Sequence, residues 1–118
     1  MIEYTVRVYG KNEEECAGVY WFLNGKRHRV DGPAVEYANG TKYWLLNDKL
    51  HRVDGPASEY ANGTKYWYNN GKLHRVDGPA IELANGETSY WINNEQIPQL
   101  NNKRVYGKDN IEKLLILI

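Results

Sequence analysis

A heptapeptide that recurs three times constrains the fold of this chain more than any other feature. The motif His-Arg-Val-Asp-Gly-Pro-Ala begins at His28, His51 and His74, at a constant spacing of 23 residues. Each copy is followed by a Glu, an Asn-Gly pair and a Tyr-Trp pair, and a further Tyr-Trp pair precedes the first copy. Three copies this similar indicate a tandem array, in which each unit packs on its neighbours.

The repeat predicts a single β-repeat domain that spans residues 1–118. A chain of 118 residues leaves no room for a second full domain. Terminal units of an array are expected to be degenerate, since their outer faces must meet water or be covered. The parts are an opening half-repeat (1–27), three units (28–50, 51–73 and 74–97) and a closing segment (98–118).

Each unit is predicted to form a β-hairpin, because Asn-Gly between short segments rich in Tyr, Trp and Val is a strong hairpin signal. A two-residue type I′ turn at Asn39-Gly40 would place Val35 opposite Trp44. One hairpin face would then carry Val35, Tyr37, Lys42, Trp44 and Leu46. The other would carry Ala34, Glu36, Ala38, Tyr43 and Leu45. In unit 74–97, one extra residue would enlarge the turn to Asn85-Gly86-Glu87 without exchanging the faces.

The predicted fold class is therefore mainly β, an elongated, twisted antiparallel β-meander of tandem 23-residue hairpin repeats. At the N-terminus, the alternation over Ile2–Tyr9 predicts a strand, followed by an acidic loop that contains Cys16. At the C-terminus, Asp109 and Glu112 resemble a capping box and predict a short helix over one open end of the sheet. A final strand through Leu114–Ile118 is the alternative.

Charge and cysteine content narrow the possible functions. The chain has 15 Lys and Arg residues against 15 Asp and Glu residues, so no basic stripe is expected and nucleic-acid binding is disfavoured. Cys16 is the only cysteine, which excludes an intrachain disulfide and fits a reducing, cytoplasmic setting. No signal peptide is recognisable, and the longest apolar run, Leu114–Ile118, is too short for a membrane anchor.

The repeat resembles one found in many small phage and large-virus proteins, akin to variant MORN repeats. The resemblance rests on His-Arg-Val-Asp-Gly-Pro-Ala, Asn-Gly, Tyr-Trp and the Asn-Gly-Lys sequences at 24–26 and 70–72, and it covers about residues 19–97. Asn94-Glu95-Gln96-Ile97-Pro98 departs from the pattern and ends the array. The resemblance implies a string of β-hairpins and a phage-encoded accessory protein, of the kind that inhibits a host factor, including defence proteins. It implies no particular chemistry.

No enzymatic chemistry is predicted, and no catalytic, cofactor-binding or metal-binding residues are assigned. The three motif histidines lie at least two strands apart, about 10 Å, which is too far for one zinc ion to bind them all. The same spacing separates the repeated carboxylates. We assign the polar motif residues to locking one repeat onto the next; they are His28, Arg29, Asp31, His51, Arg52, Asp54, His74, Arg75 and Asp77.

The sequence-based hypothesis is a non-enzymatic binding protein that inhibits a host, defence-related protein in the host cytoplasm. The candidate partner contacts are Tyr37, Trp44, Tyr60, Lys65, Trp67 and Trp91, with the acidic loop 12–15 and Leu114–Ile118 as further candidates. The alternatives are a sponge that sequesters a nucleotide signal and a structural scaffold. Open sheet edges also make a homo-oligomer plausible.

Overall fold

The computed structural model describes residues 3–10 and 17–117, so Cys16 and the predicted acidic loop 12–15 lie outside the described residues. Fifteen short strands and one α-helix are present in the described part of the chain. The strands are β1 (Thr5–Tyr9), β2 (Gly18–Leu23), β3 (Lys26–Arg27), β4 (Val35–Tyr37), β5 (Lys42–Tyr43), β6 (Leu45–Leu46), β7 (Lys49–Leu50), β8 (Ser58–Glu59), β9 (Lys65–Tyr66), β10 (Tyr68–Asn69), β11 (Lys72–Leu73), β12 (Ile81–Glu82), β13 (Thr88–Ser89), β14 (Trp91–Ile92) and β15 (Glu95–Gln96). A 3₁₀ turn spans Pro98–Leu100, and helix α1 spans Lys108–Leu117.

The strands confirm the predicted mainly β, antiparallel meander. The main sheet runs in the order β1-β2-β4-β5-β8-β9-β12-β13, and every pair in it is antiparallel. Four small hairpins, β2-β3, β6-β7, β10-β11 and β14-β15, line up beside it. The molecule measures 50 × 34 × 18 Å, and its radius of gyration of 16.1 Å exceeds the roughly 13.5 Å of a compact chain of this length.

Three-residue loops close the β4-β5, β8-β9 and β12-β13 hairpins, so the predicted two-residue turn at Asn39-Gly40 is wrong. Val35 pairs with Tyr43, and Glu36 pairs with Lys42. The Gly40 N–H donates to the Tyr37 carbonyl at 3.0 Å, and Gly40 has a φ of +97°. This is the geometry of a type I turn closed by a glycine bulge, which Asn-Gly also favours.

Type I′ turns occur elsewhere, at the tips of the four small hairpins. Both central residues of each turn have positive φ, which only Gly and the short polar residues Asn and Asp adopt readily. These turns are Asn24-Gly25, Asn47-Asp48, Asn70-Gly71 and Asn93-Asn94. They stack through backbone bonds from Asp48 to Arg27, from Gly71 to Leu50 and from Asn94 to Leu73.

The one-residue change in register also overturns the predicted faces. Tyr43, not Trp44, lies opposite Val35, so Tyr37 and Tyr43 share one side of the sheet and Trp44 lies on the other. One face carries Val35, Tyr37, Tyr43 and Leu45, and the other carries Ala34, Glu36, Lys42 and Trp44. Three buried side chains of the tyrosine side, Tyr20, Val35 and Leu45, form a core cluster with the buried Ala34.

The third unit contains no insertion, contrary to the prediction. Its loop is Ala84-Asn85-Gly86, because the Leu83 N–H donates to the Glu87 carbonyl as Tyr37 does to Thr41. Tyr90 therefore occupies the place of Trp44 and Trp67, and its carbonyl accepts from Ile97 as theirs do from His51 and His74. Trp91 takes the place of Leu45 and Tyr68, on the tyrosine side.

A second, smaller core closes the C-terminal end of the array. Tyr90, Leu100 and Ile111 are each at most 2% exposed and pack together. The Tyr90 hydroxyl contacts the carbonyls of Lys103 at 2.7 Å and Val105 at 3.0 Å, and it accepts from the Val105 N–H at 2.8 Å. The predicted helix is confirmed, and the strand alternative is wrong.

Helix α1 begins at Lys108, one residue before the predicted cap, so Asp109 lies in the first turn and is not the N-cap. The Gly107 N–H bonds to the Asp77 carbonyl, which ties the start of α1 to the third motif. In the described residues, no helix has both the length and the apolar character needed to cross a membrane.

Candidate functional site

Three tryptophans, Trp21, Trp44 and Trp67, are each covered by an arginine of the heptapeptide motif. Each guanidinium carbon lies about 4 Å from the centroid of a tryptophan ring, at the distance of a cation–π contact. The pairs are Arg29 over Trp21 (3.9 Å), Arg52 over Trp44 (3.8 Å) and Arg75 over Trp67 (4.0 Å). Trp44 and Trp67, which we predicted as partner contacts, are thus half-buried and occupied within the array.

The polar groups around each arginine use its hydrogen-bond donors. Arg52 donates from Nε to Asp54 at 3.4 Å and from Nη1 to the Pro56 carbonyl at 3.1 Å and Glu59 at 3.3 Å. On its other side, a Cβ built on Gly55 would lie 2.8 Å from Arg52 Cζ. Glycine is needed here because the arginine fills the space that any side chain would take.

The motif histidines serve a different contact. Each Nδ1 accepts a hydrogen bond from the backbone N–H of the residue that opens a small-hairpin turn, 19 residues further on. His28 pairs in this way with Asn47 at 3.0 Å, His51 with Asn70 at 3.0 Å and His74 with Asn93 at 3.1 Å. The described residues contain no group of three or more His, Cys, Asp or Glu side chains placed to hold a metal ion.

The remaining predicted contacts lie apart from one another. Lys65 is exposed, and its pairing partners in the sheet are Glu59 and Glu82. Trp91 donates from its indole nitrogen to Ser89 Oγ at 2.8 Å. Of the six predicted residues, the structure brings together Tyr37 and Tyr60, each in contact with the ring of Tyr43.

A ladder of tyrosine rings crosses the sheet on the side opposite Trp21, Trp44 and Trp67. Successive ring centroids lie 5.0 to 6.2 Å apart, and all but the last pair meet nearly edge to face, an arrangement that aromatic pairs prefer. The ladder consists of Tyr9, Tyr20, Tyr37, Tyr43, Tyr60, Tyr66 and Tyr68. It ends in the third unit, where Leu83 and Ser89 replace the tyrosines.

Two depressions flank the centre of this ladder, and we call them together the tyrosine groove. The larger has a volume of about 530 Å³ and is lined by Ala17, Tyr37, Ala38, Asn39, Thr41, Tyr43 and Tyr60. The smaller, of about 370 Å³, runs toward the small hairpins and is lined by Arg27, Tyr43, Leu45, Asp48, Lys49, Leu50, Tyr60 and Gly71. Tyr43 and Tyr60 line both depressions, so this ring pair lies where the two halves of the groove meet.

Partial burial favours the neutral form of the tyrosine hydroxyls in and beside the groove. Desolvation raises the pKa of Tyr60 above its ordinary value of 10.0, and the neighbouring Tyr43 adds to the shift. Desolvation likewise raises the pKa of Tyr68, with smaller effects of Tyr60 and Tyr66. The groove therefore offers apolar ring edges together with neutral hydroxyls, a combination suited to binding rather than to proton transfer.

Sequence reasoning missed Tyr43, Tyr66 and Tyr68 as site residues. The signal was present for Tyr43 and Tyr66, which occupy the same place in the first two units, whereas Tyr68 takes the place of Leu45. The turn that we predicted was one residue too short, which assigned these side chains to the opposite face. Comparison of the chain with family models, with curated proteins and with solved structures finds no match.

Proposed function

We propose that this protein is a non-enzymatic binding module whose tyrosine groove captures a polypeptide partner. The observation that carries the proposal is the half-buried ring pair Tyr43 and Tyr60, whose centroids lie 6.0 Å apart where the two halves of the groove meet. Tyrosines held by neighbouring rings present a large contact area at a low entropic cost, as residues that dominate binding energies do.

The partner that we propose is a host protein, related to defence, whose activity the complex blocks in the host cytoplasm. The resemblance of the repeat to those of small phage proteins supports this assignment. The groove supports a polypeptide in particular, because its hydroxyls can bond to backbone amides while its ring edges pack against apolar side chains.

The opposite face supports a nucleotide sponge less well. A depression between consecutive motif loops is lined by Trp67, Arg52 and Arg75, which would suit a nucleotide. However, Arg52 already bonds to Asp54 and Glu59, and the Asp54 side chain is 87% exposed beside it. A phosphate there would meet a carboxylate, so we favour the polypeptide.

The experiment is capture of a partner by the tagged chain from host extract, followed by measurement of its affinity with purified components. The repeat itself supplies mild groove variants. Tyr60→Leu introduces the residue that the third unit has at this place, Leu83, and Tyr43→Ser introduces the equivalent of Ser89. Each is expected to weaken binding at least tenfold, since loss of a central tyrosine costs more than about 1.4 kcal/mol.

Tyr106→Leu is the matched control, because Tyr106 is exposed and contacts Arg75 and Glu82 outside the groove. The affinity of this control variant for the captured partner is expected to remain within threefold of that of the parent chain. Equal weakening by all three variants would contradict a role of the groove. A nucleotide released on denaturation, with no captured protein, would favour the sponge.

A further inference from the structure

We infer that the chain forms a two-fold symmetric dimer through the outer edge of strand β1, an inference that does not depend on the proposed function. Within residues 3–10 and 17–117, β1 pairs with β2 on one side and with no strand on the other. Five residues of open strand edge are a ready template for pairing.

The direction of the backbone groups shows what this edge offers. Trp21 donates its N–H to the Ala34 carbonyl, so the N–H and C=O groups of the neighbouring Tyr20 and Phe22 point toward β1. The backbone N–H and C=O groups of their partners Arg7 and Thr5 point toward β2. Because these directions alternate along a strand, the backbone groups of Tyr4, Val6 and Val8 point away from the sheet. The side chains of Val6 and Val8 are 45% and 72% exposed.

The opposite edge of the main sheet is closed by the chain itself. Asn102 donates its N–H to the Thr88 carbonyl at 2.9 Å, and its Oδ1 accepts the Thr88 N–H at 2.9 Å. A second copy cannot add to β13 in the way it can add to β1. Joining of β1 to β1 is isologous and stops at two copies, so the geometry yields a closed dimer and not a filament.

Charge selects a second copy of this chain as the occupant and determines the register. The outward groups occur at every second residue, so antiparallel β1 pairs can shift only in steps of two. With Thr5 on the two-fold axis, Glu3 lies opposite Arg7 of the other copy, and this ion pair occurs twice. A shift of two residues would place Arg7 opposite Thr5 and lose both ion pairs, and a shift of four would place Arg7 opposite Arg7, which like charges disfavour. Glu3, Thr5 and Arg7 are all exposed and accessible to a second copy.

This dimer would have one continuous sheet with both tyrosine grooves on the same side. The two-fold axis of an antiparallel edge pair is perpendicular to the sheet, so the same face of each copy points in the same direction. Tyr9 lies on the tyrosine side, four residues from the axis, so the two ladders would share one face and be offset along the strands by about 27 Å.

The first test measures the mass in solution of the intact chain and of three charge variants by light scattering after size exclusion. The parent is expected at twice the 13.7 kDa of one chain. Glu3→Arg and Arg7→Glu are each expected to weaken the dimer at least tenfold, whereas the double variant with both changes regains the parent's mass. A monomeric parent at millimolar concentration would overturn the inference, and so would a dimer that the single variants leave intact or a double variant that stays monomeric. Circular dichroism controls for folding.

A second test probes the register directly in a Cys16→Ser background. Thr5 lies opposite Thr5 of the other copy in a pair without backbone hydrogen bonds, where Cα atoms about 4.5 Å apart permit a disulfide. Thr5→Cys is expected to form a covalent dimer on mild oxidation, and Val6→Cys, the matched control on the same strand, is expected to form much less. Preferential cross-linking of the Val6→Cys variant would contradict the register on which the inference rests.

Discussion

The guanidinium of Arg52 lies over the indole of Trp44 at 3.8 Å from its centroid, although the two residues belong to consecutive repeat units. The same contact joins Arg29 to Trp21 and Arg75 to Trp67. In an array in which each unit touches only its neighbours, stability depends on such contacts between units. The motif residues therefore hold the units in register while the tyrosine side remains available for binding.

Replacement of Arg52 by Lys is expected to destabilise the chain by about 2 kcal/mol. Lysine keeps the charge, but it loses the planar contact with Trp44 and the bonds to Asp54, the Pro56 carbonyl and Glu59. Urea unfolding followed by tryptophan fluorescence measures the loss. Lys49→Arg, an exposed change outside the stack, is the control, and an equal effect of both would contradict the role of the stack.

Gly55→Ala is expected to cost roughly 1–3 kcal/mol because the new methyl group would meet the Arg52 side chain. A double-mutant cycle with Arg52→Ala tests whether this contact causes the loss of stability, because the Arg52→Ala variant leaves the space beside Gly55 empty. In that background the additional cost of Gly55→Ala should fall to a few tenths of a kcal/mol. An unchanged cost would contradict the contact with the arginine as its cause.

Tyr90→Phe is expected to destabilise the C-terminal cap by about 1–3 kcal/mol, because the partly buried Val105 N–H loses its acceptor. The Lys103 carbonyl loses a contact in the same substitution. Protection of the amides of α1 against hydrogen exchange reports on the cap. Tyr106→Phe, which removes a more exposed hydroxyl, should have a clearly smaller effect.

Stability is expected to fall as the pH rises above about 10. The pKa values of Tyr60 and Tyr68 are raised in the folded state by desolvation, so the unfolded chain loses these protons first. Above the ordinary tyrosine pKa of 10.0 the unfolded state then binds fewer protons, and the free energy of unfolding decreases with pH. Urea titrations between pH 8 and 11 test this. Tyr60→Phe should flatten the dependence, and an unaltered slope would contradict it.

Asp48→Asn tests how the stability of the chain depends on pH under acidic conditions. The backbone N–H of Arg27 is the largest cause that lowers the pKa of Asp48, so the folded state loses this contribution as the pH falls through and below 3.8. Asparagine retains the acceptor, as Asn94 does toward the Leu73 N–H at 2.7 Å. We expect a cost below about 1 kcal/mol at pH 7, since the ion pair is nearly half exposed. The variant should also lose less stability between pH 5 and 3 than the parent, which urea unfolding would show.

Much of the architecture could be predicted from local patterns. The 23-residue spacing, the Asn-Gly pairs and the alternating aromatic residues predict a meander of antiparallel hairpins, and Asp109 with Glu112 predicts the terminal helix within two residues of its start. These features depend on neighbours in the chain, because turn conformation and strand alternation are local properties. The predicted position of Trp91 was wrong because Tyr90-Trp91 has the same residue types as the repeated Tyr-Trp pair but is shifted by one residue in the strand register.

The sequence by itself thus determined the array and its period, whereas the tertiary structure decided the faces. Asn-Gly is compatible with both a two-residue and a three-residue loop, and the difference of one residue moves every side chain of a strand to the other side. The choice depends on packing between units, where Val35 and Tyr43 share one side and Arg52 covers Trp44 on the other. Only these contacts between residues distant in the chain distinguish the tyrosine groove from the structural side of the sheet.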